Sequence, residues 1–419
     1  MAQLSDDCFA FGGPLLPVAE ALAMLRERVP TVVEQESLPL AACLGRVLRE
    51  SLIAELSVPA HDNSAVDGYA LRFEDLNEDS VTVLPIAGRA AAGHPLGRPI
   101  APGEAIRIFT GAPMPEGADT VMMQEDCRQD GEAVTLHPGI KRGANCRNAG
   151  EDIAKGSEVL PAGRRLKPWD LGLAASLGRT SLTVSRPLRV ALCSTGDELV
   201  EPGGVRSAGQ VYDANRNAVA GLLRGEGCQV TDLGILADNA RLIRETLEAT
   251  ARQHDLVITT GGVSEGEEDH VKAALDAAGG SLHFWRLAIK PGRPVALGRL
   301  ASAAFVGLPG NPVACVVTFA ALVRPLIHQM SGASYAAPAT FPVVSGFAHR
   351  KKRDRQEWLR VSLERSGDGL STAKRFPREG AGILSSLAGS DGFLILDETL
   401  TEIPAGTTLP FLPFSEVLS

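Results

Sequence analysis

The stretch DLVITTGGVSEGEEDHV, residues 255–271, runs an apolar segment into a glycine pair, a serine and then four carboxylates within five residues. Residues 255–260 are rich in β-branched side chains and too short for a helix, which predicts a buried strand. Gly261 and Gly262 permit positive φ and close approach of a ligand, and the amides beyond them open a helix carrying His270, Val271, Ala274 and Leu275. This is the local chemistry of a phosphate site. Glu265, Glu267, Glu268 and Asp269 would repel a phosphate unless a divalent cation stood between them.

Working outward, residues 188–330 alternate strand and helix: RVALCS then NRNAVAGLLRG, CQVTDLGIL then NARLIRETLEATAR, DLVITT then DHVKAALDAA, and AAFVGLP then a helix from Pro312 to Met330. Such alternation predicts a doubly wound α/β domain, a parallel sheet with helices on both faces, whose ligands bind beyond the carboxyl ends of the strands. Residues 17–28 have helical apolar spacing and stop before Pro30. Residues 53–146 carry short β-like runs between Gly/Pro turns and form a β-rich domain. Residues 1–52 and 147–187 form a non-contiguous N-terminal and linker domain, with a strand near 157–160 and a helix from Pro168 closed by Gly178. After SGASYAAPAT, residues 331–419 form a C-terminal β domain.

The whole chain of 419 residues exceeds one ordinary domain. A net charge of −9 argues against nucleic-acid and membrane-surface binding, which need a broad basic face. One phosphorylated ligand stays compatible, because salt screens surface fields within about 8 Å. Seven scattered cysteines, without zinc-type spacing, fit a reduced cytoplasm. No N-terminal apolar core of signal type precedes a cleavage site, Met1 to Asp7 being polar and acidic, and the apolar run 313–323 is too short to span a bilayer and reads as a buried helix.

Three strand ends carry glycine loops: CSTGDEL (193–199) with Thr195 and Gly196, TTGGVSEGEED (259–269) with Gly261, Gly262 and Ser264, and GLPGNP (307–312) with Pro309, Gly310, Asn311 and Pro312. In a parallel sheet all three open on one edge and offer amides to phosphates. Acids at a helix start also favour the helix dipole. That accounts for Glu267 or Glu268, but not for Glu198 and Asp238 following two other strands. Mg²⁺ takes one or two carboxylates with waters and phosphates, so Glu198 and Asp269 are the metal candidates. Ser264 reads as a phosphate donor rather than a nucleophile, and His270 as a helix-surface residue. LAIKPGRPVALG (287–298) supplies Lys290 and Arg293 as cations for an anion, against the plainer reading of a hairpin tip. HDNSAVDGYAL (61–71), FTGAPMPEGADTVMMQED (109–126) and NCRNAGEDI (145–153) are unremarkable turn sequences by spacing alone. The basic run HRKKRDR (349–355) reads as a solvated hairpin, with the lining of a site for a phosphorylated partner as the alternative.

Together, DNSAVDGYA, TGAPMPEGADTVMMQE, AGEDI, STGDEL, VYDANRNAV, TTGGVSEGEEDHVK, AIKPGRP and GLPGNPV resemble, in order, the motifs of the molybdopterin molybdenumtransferase family, that of MoeA and the gephyrin E-domain. The resemblance implies Mg²⁺-dependent insertion of molybdate into adenylylated molybdopterin with release of AMP. It also implies an elongated cytoplasmic homodimer, with each site shared between the α/β domain of one subunit and the β domain of the other. Its supplier would be a molybdopterin adenylyltransferase, its recipients molybdoenzymes. Carried across by motif, the functional positions are Asp67, Thr110, Arg147, Asp152, Glu198, Asp238, Asp269, Lys290, Pro309 and Pro312, with Arg360 at a family arginine. Two positions depart: Arg286 stands where the family has lysine, and Ala381 where it has serine.

Two other classes compete with the enzyme: a scaffold that binds nucleotide or molybdopterin on the same fold without chemistry, and a different hydrolase built on the α/β domain. Glu198, Asp238 and Asp269 together favour the enzyme, since a scaffold has no use for three acids at strand ends.

Overall fold

The computed structural model describes residues 15–261, 270–365 and 369–418. At its centre lies a six-stranded sheet in the order Gln229–Leu236, Arg189–Thr195, Leu256–Thr260, Ala303–Leu308, Pro294–Leu300 and Ser281–Arg286. The first four strands are parallel, as the strand–helix alternation predicts. Two further strands extend this parallel sheet by antiparallel pairing: Pro294–Leu300 runs against Ala303–Leu308, and Ser281–Arg286 against Pro294–Leu300. The reason is local: Ala301, at φ 51°, turns the chain back between Leu300 and Ala303, leaving no room for a crossover helix.

Side chains alternate across this sheet and define its two faces. Leu192, Ile258 and Val306 face one core with the helices Asn215–Gly225 and Pro312–Thr318, while Ala191, Val257 and Phe305 face another with Ala240–Ala251 and His270–Ala277. Helix starts follow the sequence. Asn239 accepts from the backbone of Arg241 and Leu242 at 3.0 and 3.1 Å, and Pro312 occupies the first turn of its own helix. The run 312–331 is one continuous helix of 20 residues, apolar and long enough to cross a bilayer, yet 89% buried inside the protein. Its middle, Phe319–Val323, widens to π geometry just before Pro325, which has no N–H to continue the i→i−4 ladder.

Helix Val18–Arg28 packs on this α/β core rather than on the linker sheet. The preceding bridge holds it there, with Leu16 N–H donating to Arg286 O at 2.8 Å and Ala288 N–H to Leu16 O at 2.7 Å. The chain leaves and re-enters a small linker unit, where Gln35–Pro39 pairs with Ser181–Ser185 over a core including Leu48, Leu166 and Val184. Between these passages lies a six-stranded β sheet in which Gly68–Leu71 sits between Thr120–Met123 and Ala105–Ile108. The C-terminal strands Gln356–Glu364, Thr372–Arg375, Phe341–Ser345, Thr408–Pro413 and Gly392–Leu396 pair in a closed ring, a small barrel around Val361, Leu394 and Phe411. One strand of this barrel recruits a segment of the α/β region: Ile289–Lys290 pairs parallel with Gln356 and Glu357.

Candidate functional site

The three glycine loops share an edge. Their strands, Arg189–Thr195, Leu256–Thr260 and Ala303–Leu308, are adjacent and parallel, and Gly261 N–H donates to Leu308 O at 3.1 Å. Gly261 has φ 89°, and a Cβ there would stand 2.7 Å from Thr195 O, so only glycine lets the first two loops touch. Gly196 is held similarly: at φ 139° its α-carbon lies under the Glu198 carboxylate, and a Cβ would meet Glu198 Oε2 at 2.5 Å. The Thr195 hydroxyl is buried and has no hydrogen-bond partner among the described residues. Asp238 N–H reaches Asp197 Oδ1 at 3.4 Å, bringing the loop of the neighbouring strand to the same edge as Glu198. Gly262, Ser264 and Asp269, with Glu265, Glu267, Glu268 and the side chain of His270, lie outside the described residues. Among the described residues no group of three or more His, Cys, Asp or Glu side chains is arranged to hold a metal ion.

The second element is a basic cavity of about 300 Å³ between the α/β region and the barrel. Lys290, Arg293, Arg360, Arg375 and Arg378 line it, with Pro309, Asn311, Ala381 and the acids Glu357 and Glu379. The 290–293 turn is therefore no free hairpin tip. Gly292, at φ 105°, lies against the long helix, where a Cβ would meet Thr318 Oγ1 at 2.6 Å and Ala314 O at 3.2 Å. Ala381 O accepts from Val313 N–H at 2.8 Å, tying the barrel to the helix start, and Asn215 Nδ2 donates to Gly310 O at 2.7 Å. Arg360 is buried, with Nε on Ser386 Oγ at 3.0 Å and Nη2 on Gly380 O at 3.2 Å. Burial and the neighbouring Arg375 charge hold its pKa below the ordinary arginine value. An anion entering this cavity would relieve both.

Glu357, buried, accepts from Lys290 Nζ at 3.2 Å, Arg355 at 2.9 Å and His349 Nε2 at 2.9 Å. Burial pushes its carboxyl up, but the His349 hydrogen bond and the Lys290 charge outweigh that and leave it below the ordinary range. This corrects the reading of residues 349–355 as a solvated hairpin. Arg350, Lys352 and Arg353 do face solvent, whereas His349 turns inward to Glu357 and Lys351 Nζ donates to the carbonyls of Asp397 and Leu400 at 2.8 and 2.7 Å.

The third element is separate in the sequence. Asp67 and Thr110 meet through two hydrogen bonds, both of 2.8 Å. Arg147 pairs loosely with Glu151 at 4.0 Å and is strand-paired with Asn63, while Asp152 N–H donates to Val58 O at 3.1 Å. All these contacts lie within residues 58–152. The sequence reading missed Arg375, Arg378, Glu357 and Ser386. The available signal was KRFPREG (374–380), a basic run around a proline at the end of a β segment.

Against known proteins, residues 16–178 match the family described as MoeA N-terminal region (domain I and II), residues 191–329 a probable molybdopterin binding domain, and residues 342–414 the MoeA C-terminal region (domain IV). The Haemophilus influenzae protein named molybdopterin molybdenumtransferase is 39% identical over 407 residues, covering 96% of this chain and 100% of that protein. Molybdopterin molybdenumtransferase 2 of Mycobacterium tuberculosis is 34% identical over 381 residues, covering 89% of this chain and 93% of its own. A crystal structure of the molybdopterin biosynthesis moeA protein of Pyrococcus horikoshii superposes with a TM-score of 0.82 at 28% identity, covering 95% of this chain and 100% of that one.

Proposed function

This chain belongs to the MoeA family, as an enzyme of molybdenum cofactor biosynthesis, and from that premise we propose that it inserts molybdate into adenylylated molybdopterin with Mg²⁺ and releases AMP. The observation that carries the proposal is the basic cavity, where five cations face two carboxylates. A tetrahedral oxyanion such as molybdate fits its charge.

The rest of the reaction has its own support. A phosphoanhydride needs amide donors and a neutralising cation at its oxygens. The three glycine loops converge at the shared edge, and the buried Thr195 hydroxyl has a donor to give. Glu198 is a hard oxygen donor at this edge and, with Asp269, is the pair that would hold Mg²⁺, in keeping with its preference for one or two carboxylates. When bound, Mg²⁺ would offset charge on the phosphate oxygens. Lys290, Arg293 and Arg360 would orient molybdate, and Thr195 with the glycine-loop amides would hold the pyrophosphate and exclude water.

Asp67, Thr110, Arg147 and Asp152 enter this proposal from a second subunit. Their contacts within residues 58–152 leave them assembled without the α/β loops, as a half-site supplied in trans requires. The homodimer, a cytoplasmic location, an adenylyltransferase as supplier and molybdoenzymes as recipients belong to the same proposal. The test is incubation of the purified protein with adenylylated molybdopterin, molybdate and Mg²⁺, followed for AMP. Release that requires both molybdate and Mg²⁺ is expected, and release indifferent to molybdate would reject the transfer.

A further inference from the structure

We infer that Glu357 of the barrel is the positioning residue for Lys290: it aims the ammonium into the basic cavity without cancelling the positive charge there. The inference rests on the proposed oxyanion role of that cavity and deepens it.

Lys290 sits on a two-residue strand that belongs in space to the barrel, in register with Glu357. Backbone pairing fixes the stem, with Gln356 N–H donating to Ala288 O at 2.8 Å. A lysine side chain has four rotatable bonds and an ammonium that surveys a wide volume unless it is anchored. The anchor is Glu357 Oε1, 3.2 Å from Nζ, on a side chain that is 1% exposed, whereas the Lys290 side chain is 47% exposed. One of the three N–H donors is thus spent on Glu357, and two remain for a ligand.

A carboxylate paired with lysine alone would neutralise the cavity. Glu357 does not, because the same Oε1 also receives Arg355 at 2.9 Å and Oε2 receives His349 at 2.9 Å. Its single negative charge is divided among several donors, so Lys290 and Arg355 together still outnumber it. The competing view is that Glu357 merely glues the barrel to the α/β region. On that view Arg355 and His349 already satisfy the buried carboxylate, and Lys290 is incidental.

Equilibrium dialysis of the full-length protein with molybdate, alongside the molybdate KM for AMP release, separates the two. Glu357→Gln is expected to weaken molybdate binding and raise its KM about tenfold, the scale of one charge-assisted hydrogen bond, with a much smaller change in kcat. In a Lys290→Ala background the same substitution should add nothing, because its effect passes through Lys290. His349→Gln, which weakens one Glu357 partner and leaves the Lys290 bond in place, should change the molybdate KM far less than Glu357→Gln does. Should Glu357→Gln not fold, Glu357→Asp, which keeps the charge but draws it back from Nζ, takes its place with the same expectations. Additive loss in the Lys290→Ala background, or equal loss from His349→Gln, overturns the inference. If neither Lys290→Ala nor Arg360→Ala alters molybdate binding, the cavity reading itself fails, an outcome distinct from the failure of Glu357.

Discussion

Asp67 accepts two hydrogen bonds from Thr110 on a single oxygen, Oδ1, one from the backbone N–H and one from the hydroxyl, each 2.8 Å long. The backbone bond and then the hydroxyl hold this carboxyl below the ordinary aspartate range although it stands in solvent. The pair links a turn residue of one strand to the loop after another. It keeps a charged carboxylate in one orientation, and the Arg107 charge adds to the lowering of its pKa.

Thr110→Val keeps the backbone donor and removes the hydroxyl. The Asp67 titration midpoint, followed by carboxyl-carbon NMR, should rise part of the way toward the ordinary value. AMP release should fall roughly tenfold, the scale of losing one hydrogen bond to a charged group, without loss of fold. An unchanged midpoint would show that the hydroxyl does not contribute.

The proposed half-site from a second subunit predicts complementation. Asp67→Ala and Glu198→Ala chains, each inactive alone, should regain AMP release when joined in a verified heterodimer, because one of its two sites then carries both intact halves. Absence of recovery counts against a site built from two subunits.

Glu226 ties three parts of the protein together. Its buried carboxylate receives Arg324 at 2.6 Å and His328 at 2.9 Å from the long helix, and Arg165 at 3.3 Å from the linker unit. Burial pushes its pKa up, but the His328 hydrogen bond with the His328, Arg324 and Arg165 charges drives it down to about 2 from an ordinary value of 4.5. A depressed folded-state pKa adds stability that is complete above the unfolded value and is lost as the pH falls toward the folded one. Glu226→Gln should therefore cost about 3 kcal/mol at neutral pH. In urea titrations across pH that deficit should shrink below pH 4.5. A deficit independent of pH would mean that the pairing is not its source.

Gly292→Ala places a Cβ against Thr318 Oγ1 and Ala314 O at a φ of 105°. It should destabilise the protein by roughly 1–3 kcal/mol and, by lifting the 290–293 turn from the helix, weaken molybdate binding as well. Calorimetry and dialysis on the same sample check both parts. Lost stability with unchanged molybdate affinity would separate the turn from the cavity.

Much of the architecture was legible because local chemistry and tertiary packing agree. Residues 255–260, the helix opened by Asn239 and the helix opened by Pro312 are each forced by β-branching, a cap or a proline. Strand Ser281–Arg286 and the reversal at Ala301 were not legible, because an alanine in the left-handed region carries no turn signature. The site was readable where function sits in glycine loops at strand ends. It was not where function depends on distant partners: Glu357 looks like any strand residue until Lys290, 67 positions earlier, is brought beside it. His349 and Lys351 belong to a basic run, and only the carboxylate and the carbonyls supplied by the barrel turn them inward.

The central claim is that the cavity between the 290–293 turn and Arg360 receives molybdate. Diffraction from crystals soaked in molybdate, recorded at the molybdenum absorption edge, tests it directly. An anomalous peak within hydrogen-bonding reach of Lys290 and Arg360 is the predicted result. A peak elsewhere, or an empty cavity at molybdate concentrations that sustain AMP release, would contradict it.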